Sequence, residues 1–278
     1  MSHNIIRKSI LKYSDTAFIS AEDSLSTEEP LEILLYAQKN GEPFSKPVSI
    51  TMRTPGHDTY LAAGFLLTEG IIESFTDIDY IRQSNENTVN VKLNDNYKTD
   101  LSKLDRHFYT NSSCGVCGKG SIENLKCFQP GLKITNDTKV SIHSLLSLNN
   151  KVKEAQSAFN FTGGIHASAL FNSEGNLLDV FEDVGRHNAL DKLIGKYFLA
   201  NKLPFNNHLL FLSGRSSFEL IQKAAIAGFP IVAALGAPSS LAVEVAEELG
   251  ITLIGFLKEK TFNVYTHPNR IENVSLNP

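Results

Sequence analysis

The feature that most constrains the fold of this chain is the alternation of short apolar segments with helical patterns in its C-terminal part. Each apolar segment has the length of a strand, and the segments between them have apolar residues at helical spacing. Strands that are apolar along their whole length are typical of parallel sheets that helices cover on both faces. The predicted strands span 208–212, 230–235 and 251–256, and the predicted helices span 216–227 and 239–249.

The segments just upstream extend this α/β pattern. Residues 136–160 and 186–199 have the apolar spacing of helices. Between them, the strand-like segments His166–Phe171 and Leu177–Glu182 flank the polar turn Asn172–Asn176, which predicts a β-hairpin.

The N-terminal part has a different pattern, which predicts a smaller α+β domain. A helix is predicted from His57 to a C-cap at Gly70. The predicted strands span 31–37, 47–53, 78–83 and 88–93. We therefore expect two domains, an α+β domain over 1–130 and an α/β domain over 131–278.

Composition excludes several classes of function. The chain has 278 residues, a net charge of −4 and no tryptophan, so it has no electrostatic footprint for nucleic-acid binding. It has no apolar run long enough to span a bilayer, and its N-terminus lacks the apolar region of a secretory signal. Three cysteines are too few for a disulfide framework and suit a reducing compartment. We therefore expect a cytoplasmic protein that binds neither nucleic acid nor membranes.

Small and polar residues follow each of the three predicted parallel strands. Ligands of open parallel sheets bind beyond the carboxyl ends of the strands. Glycine and serine at the start of a helix leave N–H groups that suit a phosphate, and Arg215 could add a charged contact. Serine at these positions could equally be a plain helix N-cap. The three loops are Ser213-Gly214-Arg215-Ser216-Ser217, Gly236-Ala237-Pro238-Ser239-Ser240 and Gly255-Phe256-Leu257-Lys258-Glu259-Lys260-Thr261.

Two further polar segments are candidate functional sites. The segment Asp183–Asn188 opens a helix after a strand, and His187 and Asp191 share one face of that helix. This cluster is dense for a solvated helix start, which slightly favours a functional role. His166 invites comparison with zinc deaminases, but Ser168 stands where their glutamate would be and the cysteine pair comes before the histidine. Deaminase chemistry is therefore not expected, and a structural role for His166 is the commoner alternative.

Cys114 and Cys117 lie in a glycine-rich loop, Asn111-Ser112-Ser113-Cys114-Gly115-Val116-Cys117-Gly118-Lys119. A structural zinc site needs four ligands, and only Cys127 remains among the cysteines. A thioredoxin-like redox pair usually lies at a strand-to-helix junction, which this loop does not resemble. A sulfur carrier needs only an exposed thiolate and, at most, a second thiol, so it requires the fewest additional residues. The spacing leaves the three alternatives open, although we expect no stoichiometric zinc.

Taken together, these segments resemble the formate dehydrogenase accessory protein (FdhD) family of sulfurtransferases. The resemblance covers most of the chain in the family's order. The matching segments are Arg53-Thr-Pro-Gly-His57, Gly64-Phe-Leu-Leu-Thr-Glu-Gly70-Ile-Ile72, Cys114-Gly-Val-Cys117-Gly118, Thr162-Gly-Gly-Ile-His166, Glu182-Asp-Val-Gly-Arg-His-Asn188 and Ser213-Gly-Arg-Ser-Ser217.

The resemblance implies a fold and a function. It implies a cytidine-deaminase-like three-layer C-terminal domain without deaminase chemistry. It also implies a cytoplasmic protein that takes sulfur from a cysteine desulfurase. The sulfur passes to the molybdenum cofactor, in its bis-guanine-dinucleotide form, before the cofactor is inserted into formate dehydrogenase. A non-catalytic chaperone that only binds this cofactor or the apo-dehydrogenase is the alternative, and a homodimer is one assembly compatible with either.

The resemblance also assigns residues. Cys114 matches the cysteine that bears the persulfide, and Cys117 matches its partner. Lys258 stands where an arginine would be expected, which weakens a bidentate phosphate contact. The cofactor is expected to contact the segment that the family uses for cofactor binding, Phe256-Leu257-Lys258-Glu259-Lys260-Thr261. It is also expected to contact four residues of the first strand-end loop, Ser213, Gly214, Arg215 and Ser216.

Overall fold

The chain begins with a two-stranded antiparallel ribbon. The structure, a computed structural model, describes residues 4–39, 41–95, 97 and 132–272. The ribbon consists of β1 (Ile5–Ser14) and β2 (Ala17–Ser26), which pair along their whole length. It was not anticipated from the sequence, because charged and apolar residues are mixed on both of its strands.

A four-stranded sheet follows the ribbon. Its strands are β3 (Glu29–Lys39), β4 (Glu42–Arg53), β5 (Ile78–Asn85) and β6 (Thr88–Leu93), in the order β4-β3-β6-β5. The central strands β3 and β6 are parallel, and the two outer pairs are antiparallel. Helix α1 (Asp58–Thr68) lies between β4 and β5 in sequence, and Gly70 follows it with a positive φ of 68°. The predicted strands and helix of this region are therefore confirmed.

A six-stranded sheet forms the centre of the C-terminal part. Its strands are β7 (His166–Asn172), β8 (Leu177–Asp183), β9 (His208–Leu212), β10 (Ile231–Ala234), β11 (Thr252–Gly255) and β12 (Asn263–Val264). Their order is β12-β11-β10-β9-β7-β8. Strands β9, β10 and β11 are parallel, as predicted. The predicted hairpin β7–β8 joins the same sheet because β7 pairs antiparallel with β9.

Helices cover both faces of this sheet. They are α2 (Ile142–Ala155), α3 (Ser157–Thr162), α4 (Arg186–Leu199), α5 (Phe218–Ile226) and α6 (Ser240–Leu249), with short 3₁₀ helices at Phe75–Asp77 and Pro268–Arg270. Helix α2 packs on one face, where Leu145, Leu148 and Val152 join a core with Phe171 and Phe211. Helices α1, α4, α5 and α6 contribute to a larger core on the other face.

The single helix predicted over 136–160 was wrong in its extent. Helix α2 starts at Ile142, because the Ser141 hydroxyl accepts a hydrogen bond from the N–H of Ser144 and caps the helix there. The helix ends at Ala155, because its C-cap residue Gln156 is extended, with a ψ of 103°. Helix α3 then starts anew, and the Glu182 carboxylate accepts hydrogen bonds from the N–H groups of Ala158 and Phe159.

Helices α1 and α4 join the two parts of the chain at a close crossing. A Cβ on Gly64 would lie 2.0 Å from the carbonyl oxygen of Asp191, and a Cβ on Gly195 would lie 1.9 Å from that of Tyr60. Only glycine allows the two backbones to come this close. One hydrophobic core accordingly contains residues of both sheets, such as Ile33 and Leu210. The expected division into 1–130 and 131–278 stays a prediction.

Candidate functional site at the sheet edge

The loops that follow the three parallel strands meet at one edge of the six-stranded sheet. The N–H of Gly236 donates to the carbonyl of Gly214 at 3.0 Å, and the N–H of Phe256 donates to the carbonyl of Gly236 at 3.1 Å. A Cβ on Gly236 would lie 2.9 Å from the Cα of Arg215, so the first two loops touch through their backbones. The convergence that the sequence predicted at the carboxyl ends of these strands is therefore present. We call the loops 213–217, 236–240 and 255–261 the rim.

The first rim loop has both structural and open positions. The Ser213 hydroxyl accepts a hydrogen bond from the N–H of Ala167 at 2.8 Å, which ties this loop to β7. Arg215 is exposed, whereas Ser216 is 1% exposed. The Ser216 hydroxyl has no hydrogen-bond partner in the part of the chain that the structure describes. A buried hydroxyl in that state is costly, so it marks a place where a ligand atom or a water would be stabilising.

The third rim loop also has both buried and exposed positions. Phe256 is half exposed and has a positive φ of 53°, and the side chain of Leu257 is buried in the core that α2 covers. The N–H of Lys258 donates to the carbonyl of Thr261 and closes a turn. Of the predicted cofactor segment, the structure thus leaves five side chains open to a ligand, those of Phe256, Lys258, Glu259, Lys260 and Thr261.

Two histidines that were not assigned to the site from sequence lie beside the first rim loop. The His166 ring packs on Gly214, where a Cβ would meet its Nδ1 at 3.2 Å. The Nε2 atom of His187 lies 3.3 Å from the Ser217 hydroxyl and 4.0 Å from the Glu219 carboxylate. The cluster of polar residues from Asp183 to Asn188 was the sequence signal that could have assigned His187 to this site.

Burial favours the neutral form of both imidazoles. Burial, together with the positive charges of Lys223 and Arg186, lowers the pKa of His187 to about 3. Burial and the Arg186 charge also lower the pKa of His166. The Nε atom of Arg186 is buried without a hydrogen-bond partner among the described residues. The positive charge of Arg186 thus acts on both histidines beside the first rim loop.

Two buried ionic groups support the site from below. The Lys192 ammonium lies 2.6 Å from the Asp183 carboxylate and donates to the carbonyl of Thr54 at 2.8 Å. The N–H of Thr54 in turn donates to Asp183, so the turn before α1 is fixed to the turn before α4. The Arg53 guanidinium forms a bidentate pair with Asp58 at 3.0 Å on both nitrogens.

The second ionic group joins α1, α4 and α5. The Lys223 ammonium lies 3.0 Å from Asp191, 3.2 Å from Glu69 and 2.7 Å from the Thr68 hydroxyl. Burial opposes its charge, but the carboxylates of Asp191 and Glu69 outweigh burial and raise the pKa of Lys223. Asp191 therefore pairs with Lys223, not with the His187 side chain that the helical spacing had placed beside it.

Cys114, Cys117 and Cys127 lie outside the described residues. Across residues 4–39, 41–95, 97 and 132–272, no three His, Cys, Asp or Glu side chains are grouped as a metal site would need. In the same part of the chain, no helix is long and apolar enough to span a bilayer.

Comparison with known proteins identifies the family. The sequence profile of the FdhD/NarQ family matches residues 26–272. The chain belongs to this family. The chain is 41% identical over 271 residues to the "Sulfur carrier protein FdhD" of Saccharolobus solfataricus, covering 98% of this chain and 100% of that protein. It is 42% identical over 275 residues to the protein of the same name from Streptomyces coelicolor, covering 95% of each.

A solved structure shares the fold. The crystal structure of a formate dehydrogenase accessory protein from Desulfotalea psychrophila superposes with a TM-score of 0.74. The two chains are 24% identical, and the match covers 96% of this chain and 99% of the other. Two of the segments that carry the family resemblance take part in the first buried ionic group: Arg53–His57 supplies Arg53, which pairs with Asp58, and Glu182–Asn188 supplies Asp183, which pairs with Lys192.

Proposed function

We propose that this FdhD/NarQ protein is a sulfurtransferase that carries sulfur on Cys114 and delivers it to a molybdenum cofactor bound at the rim. Family membership and the names of the relatives support a role as sulfur carrier. The observation that carries the second half of the proposal is the meeting of three strand-end loops around an unpartnered buried hydroxyl, that of Ser216. The proposed setting is the cytoplasm, where reducing conditions keep both thiols of the cysteine loop free.

The loading step is a sulfur transfer between thiols. A cysteine desulfurase presents a persulfide, and the Cys114 thiolate attacks its outer sulfur. The S–S bond of the donor breaks, the donor thiolate leaves, and a persulfide forms on Cys114. No net oxidation or reduction occurs. Lys119, two residues beyond Cys117, supplies a positive charge that favours the reactive thiolate.

Delivery as hydrosulfide requires two electrons, and the second cysteine of the loop can supply them. The Cys117 thiolate attacks Sγ of Cys114, the persulfide S–S bond breaks, and hydrosulfide leaves towards the molybdenum. The products are hydrosulfide and a Cys114–Cys117 disulfide, which a cellular dithiol reductant returns to two thiols. The spacing of two residues between the cysteines suits this exchange.

The rim residues fit a ligand that carries guanine dinucleotides. Helix α5 starts at Phe218, and its N-cap residue Ser217 provides no side-chain cap, which favours a phosphate at this helix start. Arg215 and Lys258 are exposed and add positive charge. The cofactor is the substrate of the transfer, and formate dehydrogenase is the proposed recipient of the finished cofactor.

We also propose that the C-terminal part has a cytidine-deaminase-like fold. The antiparallel β7–β8 hairpin beside three parallel strands, with helices on both faces, supports this assignment. Deaminase chemistry is not part of the proposal. Ser168 stands where the general acid/base would be, and its side chain is 1% exposed.

Mass spectrometry of the cysteines tests the carrier function. The protein is incubated with a cysteine desulfurase and cysteine, alkylated, digested and mapped for sulfur adducts. We expect an adduct on Cys114, no loading of Cys114→Ala, and unchanged loading of the matched control Cys127→Ala. No adduct on any cysteine of the wild type would refute the proposal and favour a non-catalytic cofactor chaperone.

A further inference from the structure

The starts of α4 and α5 lie side by side next to the first rim loop. The Nε2 atom of His187, in the first turn of α4, is 3.3 Å from the Ser217 hydroxyl and 4.0 Å from the Glu219 carboxylate. Ser217 is the N-cap residue of α5, and Glu219 lies in the first turn of that helix. We call these three residues, together with Arg186 and Ser216, the α4–α5 junction. Glu219 belongs to neither of the two buried ionic groups beneath the rim.

The Glu219 carboxylate is largely buried, and among the described residues it forms no ion pair with a lysine or an arginine. Its side chain is 15% exposed. The His187 ring at 4.0 Å is too far for a hydrogen bond, and burial favours its neutral form. The Lys223 ammonium, one helical turn further along α5, is bound by Asp191 and Glu69. A carboxylate held mostly out of water is stabilised by hydrogen-bond donors, so the junction suits a ligand that supplies them.

Two further polar groups of the junction are buried without a partner. The Ser216 hydroxyl and the Nε atom of Arg186 form no hydrogen bond within the part of the chain that the structure describes. Buried groups in this state are costly, so both are stabilised by a ligand or a water. The Nε–H of an arginine can only donate, whereas a hydroxyl can donate or accept. With Glu219, the junction therefore offers both acceptors and donors to a ligand.

The charge of Glu219 decides which part of a nucleotide suits the junction. A carboxylate repels a phosphate, whereas Arg215, exposed on the first rim loop, attracts one. A nucleotide base is uncharged and presents donors and acceptors along one edge. The base therefore fits beside Glu219, and the phosphates fit beside Arg215.

Guanine is the base that matches a carboxylate best. Its N1–H and its N2 amino group are neighbouring donors, which the two oxygens of one carboxylate can accept together. The O6 atom beside them is an acceptor, and the unpartnered Nε–H of Arg186 is a donor of the kind that it needs. Adenine and cytosine each have a single amino donor on this edge. We propose that Glu219 selects guanine by accepting hydrogen bonds from N1–H and the N2 amino group, a role that rests on the proposed function.

Calorimetric titration of the full chain with three nucleotides tests this selection. GDP has both donors, IDP lacks the N2 amino group, and ADP lacks both. We expect the wild type to bind GDP at least about tenfold more tightly than IDP, and ADP most weakly. Glu219→Gln keeps the size of the side chain but removes the charge and one acceptor. We expect this variant to bind GDP about tenfold to a hundredfold more weakly, with a GDP-to-IDP affinity ratio close to one.

The ratio between nucleotides separates selection from stability. A variant that only disturbed the packing of the rim would weaken the binding of GDP, IDP and ADP alike. Glu248→Gln makes the same exchange at an exposed position of α6, and this matched control should keep all three affinities. Circular dichroism and thermal unfolding of both variants verify that they are folded.

Two results would overturn the role of Glu219 alone: a wild type that binds GDP and IDP equally, or a folded Glu219→Gln that keeps the GDP-to-IDP ratio of the wild type. A wild type that binds none of the three nucleotides would instead reject the nucleotide site at the rim, and the role of Glu219 with it. Persulfide loading of Cys114 is measured on the same samples and should be unchanged in Glu219→Gln. Loss of loading would contradict a role confined to guanine.

Discussion

Replacing Gly195 by alanine tests the crossing that joins the two parts of the chain. The new Cβ would lie 1.9 Å from the carbonyl oxygen of Tyr60 and 2.7 Å from the N atom of Gly64. Non-bonded heavy atoms prefer about 3.5 Å, so α1 and α4 must separate by more than about 1 Å. Overpacking of this kind costs about 1–3 kcal/mol. A contact as short as 1.9 Å belongs to the upper part of that range, about 2–3 kcal/mol, and alanine in a helix interior recovers about 0.5–1 kcal/mol, so we expect a net loss of about 1–2.5 kcal/mol.

Thermal and urea unfolding measure this loss. For a chain of this length, each kcal/mol corresponds to about 2–4 °C in Tm. The matched control is Gly164→Ala, because the nearest atom to its new Cβ is the carbonyl oxygen of Thr162 at 3.8 Å, and its stability should change by less than about 0.5 kcal/mol. Gly64→Ala forces the same two helices apart, so the double variant with Gly195→Ala should cost less than the sum of the two. Gly195→Ala with the stability of the control would refute the close crossing.

Three further predictions concern the rim. Arg215→Ala should weaken GDP binding about tenfold to a hundredfold in calorimetric titration, because a charge-assisted contact is worth about 1.5–3 kcal/mol. The control Cys114→Ala should bind GDP like the wild type. Equal affinity of Arg215→Ala and the wild type would show that the arginine does not contact the nucleotide. Burial, with nearby positive charges, lowers the pKa of His187 to about 3. As the pH falls, the unfolded chain therefore binds a proton on this histidine near pH 6.5, whereas the folded chain binds it only near pH 3. Stability should therefore fall between pH 6.5 and 3, by up to about 1.4 kcal/mol per pH unit from this group, and denaturation of His187→Gln should show a slope smaller by one proton, a result that an unchanged slope contradicts. Ser239→Ala should lose about 1 kcal/mol of stability because it removes a helix cap, and Ser217→Ala should lose less, as thermal unfolding of the two variants can compare.

Much of the secondary structure could be predicted because it is encoded locally. The helix predicted at 186–199 and the strand at 208–212 have the bounds that the structure gives them. Apolar segments of strand length and caps such as Gly70 are properties of a few neighbouring residues. The break at Gln156 depends instead on Glu182, which lies on another strand and caps α3. Sequence periodicity across 136–160 could not reveal it.

The ribbon and the ionic groups could not be predicted for a related reason. A strand that packs on a core has polar residues on one face, but among the described residues both faces of the β1–β2 ribbon are largely exposed, so the usual alternation is weak. Lysine is normally a surface residue, and the burial of Lys192 and Lys223 follows from carboxylates on other elements, Asp183 on β8 and Asp191 on α4. The helical spacing predicted that Asp191 lies beside His187, whereas in the structure Asp191 pairs with Lys223.

Two serines at the rim show how packing separates residues that look equivalent in sequence. Ser217 and Ser239 each precede a helix after a parallel strand, and each could be a plain N-cap. Ser239 is one, because its hydroxyl accepts from the N–H of Ala242 at 3.2 Å. The Ser217 hydroxyl makes no cap and lies instead beside the His187 ring. Helix α5 therefore lacks the side-chain cap that α6 receives from Ser239. A phosphate gains more at an uncapped helix start, so the asymmetry supports α5, with Arg215 and Ser216 before it, as the place where the nucleotide part of the proposed cofactor binds.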